Sequence, residues 1–171
     1  VPFIVRGPGV KANSWCHVPV VGYDLFPTYC QWAGISANKL PKGLEGGSIA
    51  ALLSHEGRGV VKRPREELVF HFPHYDKDAQ GPASAIYLGD LKLIHVYETG
   101  ALKLFNIATD PGERRDLAAQ MPDKAKELDA CLMAYLKAMN AQLPKPNPKY
   151  DPSKPTETER RGGGGKRKQN Q

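Results

Sequence analysis

The chain has 171 residues, of which 40% are hydrophobic and 25% charged, with a net charge of +6. That length can bury a core, and the balance is that of a globular protein. No apolar run approaches the ~20 residues needed to span a bilayer, and no charged-then-apolar leader opens the sequence. From Pro144 onward there are eight Lys/Arg against three Asp/Glu, and before it sixteen against fifteen. The excess charge is therefore a property of the tail, and a specific nucleic-acid surface is not expected.

In chain order, Val1–Arg6 reads as an interior strand ended by Gly7-Pro8-Gly9. An N-terminal part is expected to be missing before it. Val21, Leu25, Tyr29 and Trp32 fall at helical spacing and predict a helix of about a dozen residues, kinked or started near Pro27 and stopped at Ala33-Gly34-Ile35. Residues 40–47 read as a glycine-rich loop, 48–53 as one or two helical turns, and 57–65 as a basic linker. Glu67–Phe72 alternates as a strand. Ala83–Leu88, Leu91–Tyr97 and Ala101–Ile107 read as a meander joined by Gly89-Asp90 and Glu98-Thr99-Gly100, giving four antiparallel strands.

Pro122 then opens an amphipathic helix. Ala125, Leu128, Leu132, Tyr135 and Met139 are expected on one face, covering one face of the sheet. Pro144 ends it. Five prolines between 144 and 155 predict an extended tail, and Arg160–Gln171 is low-complexity and expected to be disordered. Cys16, Cys30 and Cys131 show no zinc spacing; Cys30 and Cys131 sit in apolar helical patterns and are expected to be buried free thiols, with one disulfide plus one thiol as the alternative.

The wording of these segments carries more than their periodicity. GDLKLI followed by LKLFNIATDPGERRDLA resembles the closing meander of arylsulfatase-type sulfatases. VPFIVRGPGV, VVGYDLFPTYCQWAGI and GLEGGSIAALL resemble three earlier segments of that family, in the same order. The resemblance covers most of residues 1–143. It implies an α/β fold with an α+β C-terminal subdomain: the tail end of an alkaline-phosphatase-like large domain, then a small antiparallel sheet packed by a C-terminal helix. The expected divisions are 1–57 for the end of the large domain, 58–65 for a linker, 66–143 for the C-terminal subdomain and 144–171 for the tail.

Sulfate ester hydrolysis needs a nucleophile aimed at sulfur, a cation on the sulfate oxygens and an acid for the leaving alcohol. The family supplies a formylglycine from C-x-P-x-R, calcium held by Asp and Asn oxygens, and a Lys in G-K-x-x-x-x-E-G-G. None of these motifs occurs in the sequence. The resemblance thus implies that formylglycine and calcium belong to a preceding catalytic part, that this chain binds no cofactor and no metal, and that it is inactive alone. Partners implied are that catalytic part and a sulfated glycan or aryl sulfate. A periplasmic or secreted location follows from the family alone.

His71 and His74, in FHFPHY, remain as candidate substrate-binding residues: they sit where Pro73 turns the chain off the sheet. Capping of the sheet edge is the plainer reading. Lys92 reads as a solvated strand lysine, and Asp110-Pro111-Gly112-Glu113 as turn chemistry in which Gly112 supplies the reversal. His95 and Tyr97 share a packing face. Where the family commonly has Arg and Trp, this chain has Tyr87 and Leu91. Two other functions stay open: a non-catalytic module for anionic glycans, and a phosphate or phosphonate ester hydrolase of the same superfamily.

Overall fold

The computed structural model describes residues 3–75 and 81–145. The basic end of the tail, read as disordered, lies outside them. The described residues gather into two compact units, one within Val1–Glu66 and one within Glu67–Gln171.

In the second unit, β1 (Leu68–Phe72), β2 (Ala83–Leu88), β3 (Leu91–Val96) and β4 (Ala101–Asn106) form one antiparallel sheet in sequence order. The α/β fold with its small antiparallel sheet and C-terminal helix is as expected from the sequence. Gly89, at φ +58, makes the two-residue turn that pairs Leu88 with Leu91. Helix α3 (Pro122–Ala138) starts with Pro122 in its first turn, where the missing N–H costs nothing. It lays Ala125, Leu128, Leu132 and Leu136 on Ile86, Leu93 and Leu104.

The buried stripe thus continues through Leu136, four residues after Leu132. Tyr135 is half-buried at the rim, and Met139 lies beyond the helix end and is exposed. Cys131 is exposed as well, because it falls on the outward side between stripe residues Leu128 and Leu132. All three cysteines are free.

In the first unit, a 3-10 turn (Gly22–Asp24) leads into α1 (Leu25–Trp32), shorter than the expected dozen residues. Pro27 is tolerated because it lies in the first turn, whose N–H groups have no intrahelical partner. The helix ends in a Schellman motif: Ile35 N donates to Cys30 O at 2.9 Å and Gly34 N to Gln31 O at 3.1 Å, with Gly34 at φ +73. Helix α2 (Ala50–Ser54) follows. Residues 3–6, read as a strand, are irregular. A strand needs a neighbour for its backbone groups, and none pairs with them among the described residues.

Candidate functional site

The sheet register places His71 opposite Ser84 and Ser84 opposite His95, so three polar side chains form one row on the face that α3 covers. His71 Nε2 donates to Gln142 O at 3.0 Å, just past the helix end. Its Nδ1 lies 2.6 Å from Ser84 Oγ. Tyr97 OH lies 2.8 Å from Ser84 Oγ, so Tyr97, Ser84 and His71 form one hydrogen-bonded chain. Burial pushes the Tyr97 hydroxyl above its ordinary pKa; the Ser84 hydrogen bond opposes this and the Asp129 charge adds to it, so Tyr97 stays protonated. His95 packs against Tyr97 at 5.0 Å and donates through Nδ1 to Asp129 Oδ1 on α3 at 2.7 Å.

This cluster ties the helix to the sheet. Both ring nitrogens of His71 are engaged. Ser84 is 2% exposed, so its hydroxyl has no path to an external substrate. His74 is exposed, with its ring edge-on to Phe72 at 5.8 Å. The two histidines named from the sequence thus have separate surroundings, one beneath the end of α3 and one outside it. His95 and Tyr97 pack as read. Ser84 and Asp129 were missed, although each is a polar residue at an apolar-face position: Ser84 two before Ile86, Asp129 four after Ala125.

A second constellation is centred on Asp24, which is wholly buried. Arg63 grips its carboxylate in a fork, Nε to Oδ1 at 2.9 Å and Nη2 to Oδ2 at 2.6 Å. The backbone N–H groups of Val21 and Gly47 also donate to it, at 2.9 and 3.0 Å. Burial works to raise the Asp24 carboxyl, but the Arg63 hydrogen bonds, both N–H groups and the Arg63 charge outweigh it and hold the group below the usual carboxylate range. Thr28 accepts from Ile49 N at 3.0 Å and donates to Asp24 O at 2.6 Å. These bonds stitch residues 19–28, 46–49 and 63 together. Gly46 and Gly47 are required there: a Cβ at Gly46 would overlap Tyr23 O, and one at Gly47 would overlap Lys62 O.

Lys92 is not solvated. Its side chain is 13% exposed, its Nζ lies 2.6 Å from Glu113 Oε1, and it stands 5.3 Å from the Tyr87 ring centroid. Burial alone would lower its pKa; Glu113 and Tyr87 reverse that and hold it above the ordinary lysine value. The turn before Glu113 also differs from its reading. The left-handed residue is Glu113 itself, at φ +54, while Asp110 Oδ2 accepts from Arg114 N and Arg115 N at 2.8 and 2.9 Å. Asp116 Oδ1 then accepts from Leu104 N, covering part of the β4 edge. Among the described residues, no three His, Cys, Asp or Glu side chains are grouped to hold a metal ion.

No protein-family model matches the chain. Over 82% of its length it is 32% identical to a protein named Sulfatase from Formosa agariphila, and over 80% it is 30% identical to Arylsulfatase K from Danio rerio. It covers 28% and 25% of those proteins, about a quarter of the length of the curated relatives it matches. Among solved structures, BT4656 in complex with its substrate D-glucosamine-2-N,6-O-disulfate superposes on 75% of the chain, with 26% identity and a TM-score of 0.54. The match covers 26% of that protein. The chain is homologous to the C-terminal portion of arylsulfatase-type sulfatases.

The strings that carry the sulfatase resemblance are the ones whose polar groups pin the fold. Asp24 and Thr28 come from GYDLFPT, Gly46 and Gly47 from GLEGGS, Lys92 from GDLKLI, and Asp110, Glu113 and Asp116 from DPGERRD. In this sulfatase segment they hold backbone and one another.

Proposed function

We propose that the chain serves as the C-terminal part of a sulfuric ester hydrolase acting on sulfated glycans or aryl sulfates, with the reacting groups supplied by residues outside these 171. The observation that carries this is the similarity to sulfatases over some four fifths of the chain, in a segment whose motif residues all have structural partners. The calcium and formylglycine of the resemblance belong, in this proposal, to the other part. The residues here do not suit a hard cation, which takes six to eight oxygens: the Asp24 carboxylate is consumed by Arg63, and no acidic cluster accompanies it among the described residues.

The role proposed for this segment is to brace one side of the substrate cleft. His74 is the better placed of the two named histidines to meet a sulfate or sugar hydroxyl, because its ring is exposed and His71 is held by Ser84 and Gln142. Function in the periplasm or outside the cell is part of the same proposal.

The test is to express the complete coding frame containing these residues, and residues 1–171 alone, and to assay both on sulfated glucosamine, sulfated hexuronate and aryl sulfates, with matching phosphate esters alongside. Sulfate release by the complete protein and none by residues 1–171 is expected. Turnover by residues 1–171 after exhaustive purification would overturn the assignment of catalysis elsewhere. Preference for phosphate esters would move the chain to a sister activity.

A further inference from the structure

The exposed ring of His74 stands between two anchored residues. A side chain that is to meet substrate gains from being held beforehand, because ordering it on binding costs affinity. Three residues before it, His71 is bonded to Ser84 and to the Gln142 carbonyl. Pro73, between them, fixes one backbone angle. One residue after it, the Tyr75 hydroxyl donates to Glu98 Oε1 at 2.6 Å. That is the length of a charge-assisted bond from a hydroxyl to a carboxylate.

Glu98 itself stands on a fixed support. It follows Tyr97, whose N–H donates to Pro82 O at 3.0 Å and extends the β2–β3 ladder by one residue. The Tyr97 hydroxyl is tied to Ser84. Beyond Glu98, Thr99 Oγ1 accepts from Ala101 N at 3.2 Å and Gly100 takes φ +65, which closes the turn into β4. The second carboxylate oxygen lies against Gly81: a Cβ there would come within 2.8 Å of Glu98 Oε2, and the Gly81 backbone is left-handed, at φ +67. The carboxylate is thus held from two sides, by Tyr75 and by the chain entering β2. A carboxylate repels sulfate, whereas an imidazole N–H can donate to a sulfate oxygen. Glu98 therefore suits a supporting role, and His74 the contact.

We propose that Glu98, acting through the Tyr75 hydroxyl, is a positioning residue that sets His74 for contact with the sulfated substrate. The inference rests on the role given to His74 in the proposed function. Tyr75 is 72% exposed, so losing its hydroxyl opens no cavity and strands no buried group. The contact can therefore be cut without unfolding the sheet.

The test uses the protein expressed from the complete coding frame, with KM and kcat read on sulfated glucosamine, sulfated hexuronate and an aryl sulfate. His74→Ala, Tyr75→Phe and Glu98→Ala are each expected to raise KM by about fivefold or more, with kcat within about twofold and Tm unchanged. Glu98→Gln, which keeps an oxygen to accept the hydrogen bond, should restore most of the affinity. In the His74→Ala background Tyr75→Phe should add nothing, because a residue that acts through another has no effect once the other is gone. KM unchanged in Tyr75→Phe and Glu98→Ala, with His74→Ala still raising it, overturns the inference and leaves the function standing. A full effect of Tyr75→Phe in the His74→Ala background overturns it as well, and so does a fall in Tm that accompanies losses in both KM and kcat, which marks a merely structural bond. An unchanged KM in His74→Ala removes the ring from substrate binding and the inference with it. Absence of sulfate release sinks the proposed function, and positioning is then read from the NMR signal of the His74 ring, identified by its loss in His74→Ala. A single narrow line that broadens or doubles in Tyr75→Phe and Glu98→Ala is expected; the same line in the parent and both variants overturns the inference.

Discussion

Lys92 Nζ and Glu113 Oε1 meet at 2.6 Å across 21 residues of chain, joining the β2–β3 hairpin to the turn that follows β4. The pair is partly shielded, and the Tyr87 ring flanks the cation. Lys92→Met keeps the aliphatic stem and removes the charge, so it should cost about 1–2 kcal/mol, and Glu113→Gln about 1 kcal/mol. A double-mutant cycle by urea denaturation checks this; a coupling energy near zero would mean the contact carries nothing. The pH dependence follows from the raised pKa of Lys92. Its contribution is complete below the unfolded lysine value and is lost as pH rises through the higher folded value, so it persists at neutral pH and fades only in strong alkali.

Asp24 and Arg63 should behave in the opposite sense. The Asp24 carboxyl is depressed, so its stabilisation is present above the unfolded aspartate value and disappears as pH falls through the lower folded one. Asp24→Asn removes the carboxylate charge from the part-buried Arg63 guanidinium, which keeps only the Pro19 carbonyl and the amide oxygen, and is expected to cost about 2–3 kcal/mol, whereas Arg63→Lys keeps the charge, loses the fork and should cost less. Hydrogen exchange at the amides of Val21 and Gly47, which donate to Asp24, reports both. Unchanged protection in Asp24→Asn would contradict this.

Gly47→Ala tests steric demand at a single atom. The added Cβ has to displace the Lys62 carbonyl, which is backbone and cannot rotate away. A loss of more than about 2 kcal/mol is expected, against a few tenths for Gly22→Ala, where a Cβ meets nothing within 4 Å. Thermal melts of the two variants decide it, and equal Tm values would show that the 61–62 strand of chain yields.

Ser84→Ala removes the hydroxyl that bridges Tyr97 to His71. With the hydroxyl gone, Nδ1 of His71 and the Tyr97 hydroxyl both lose the partner they share, at a cost of about 1–3 kcal/mol. Faster exchange should follow at the β2–β3 end of the sheet and near Gln142, whose carbonyl His71 holds. Ser84→Thr, which retains the oxygen, should retain most of the protection. If Ala and Thr variants exchange alike, the hydroxyl is not the link.

The local rules of the sequence determined a good part of this protein. Turn residues set Gly89, Gly100 and Gly34 in place, a period of two marked four strands, and a period of 3.6 marked α3 from its Pro122 start. These are short-range properties, decided by steric limits and by which side chains must leave water together. Four ordered strings also made the sulfatase kinship readable before any coordinates. The tertiary structure alone decided which strand face met the helix, because alternation is symmetric and FHF could have been buried on either side. It decided that Lys92 is paired, that Asp24 grips a fork 39 residues away, and that Ser84 and Asp129 join His71, Tyr97 and His95. Those contacts depend on long-range hydrogen bonds whose partners lie far apart in sequence, and burial makes them necessary: a polar group taken out of water must find a partner, and only the folded chain brings that partner near.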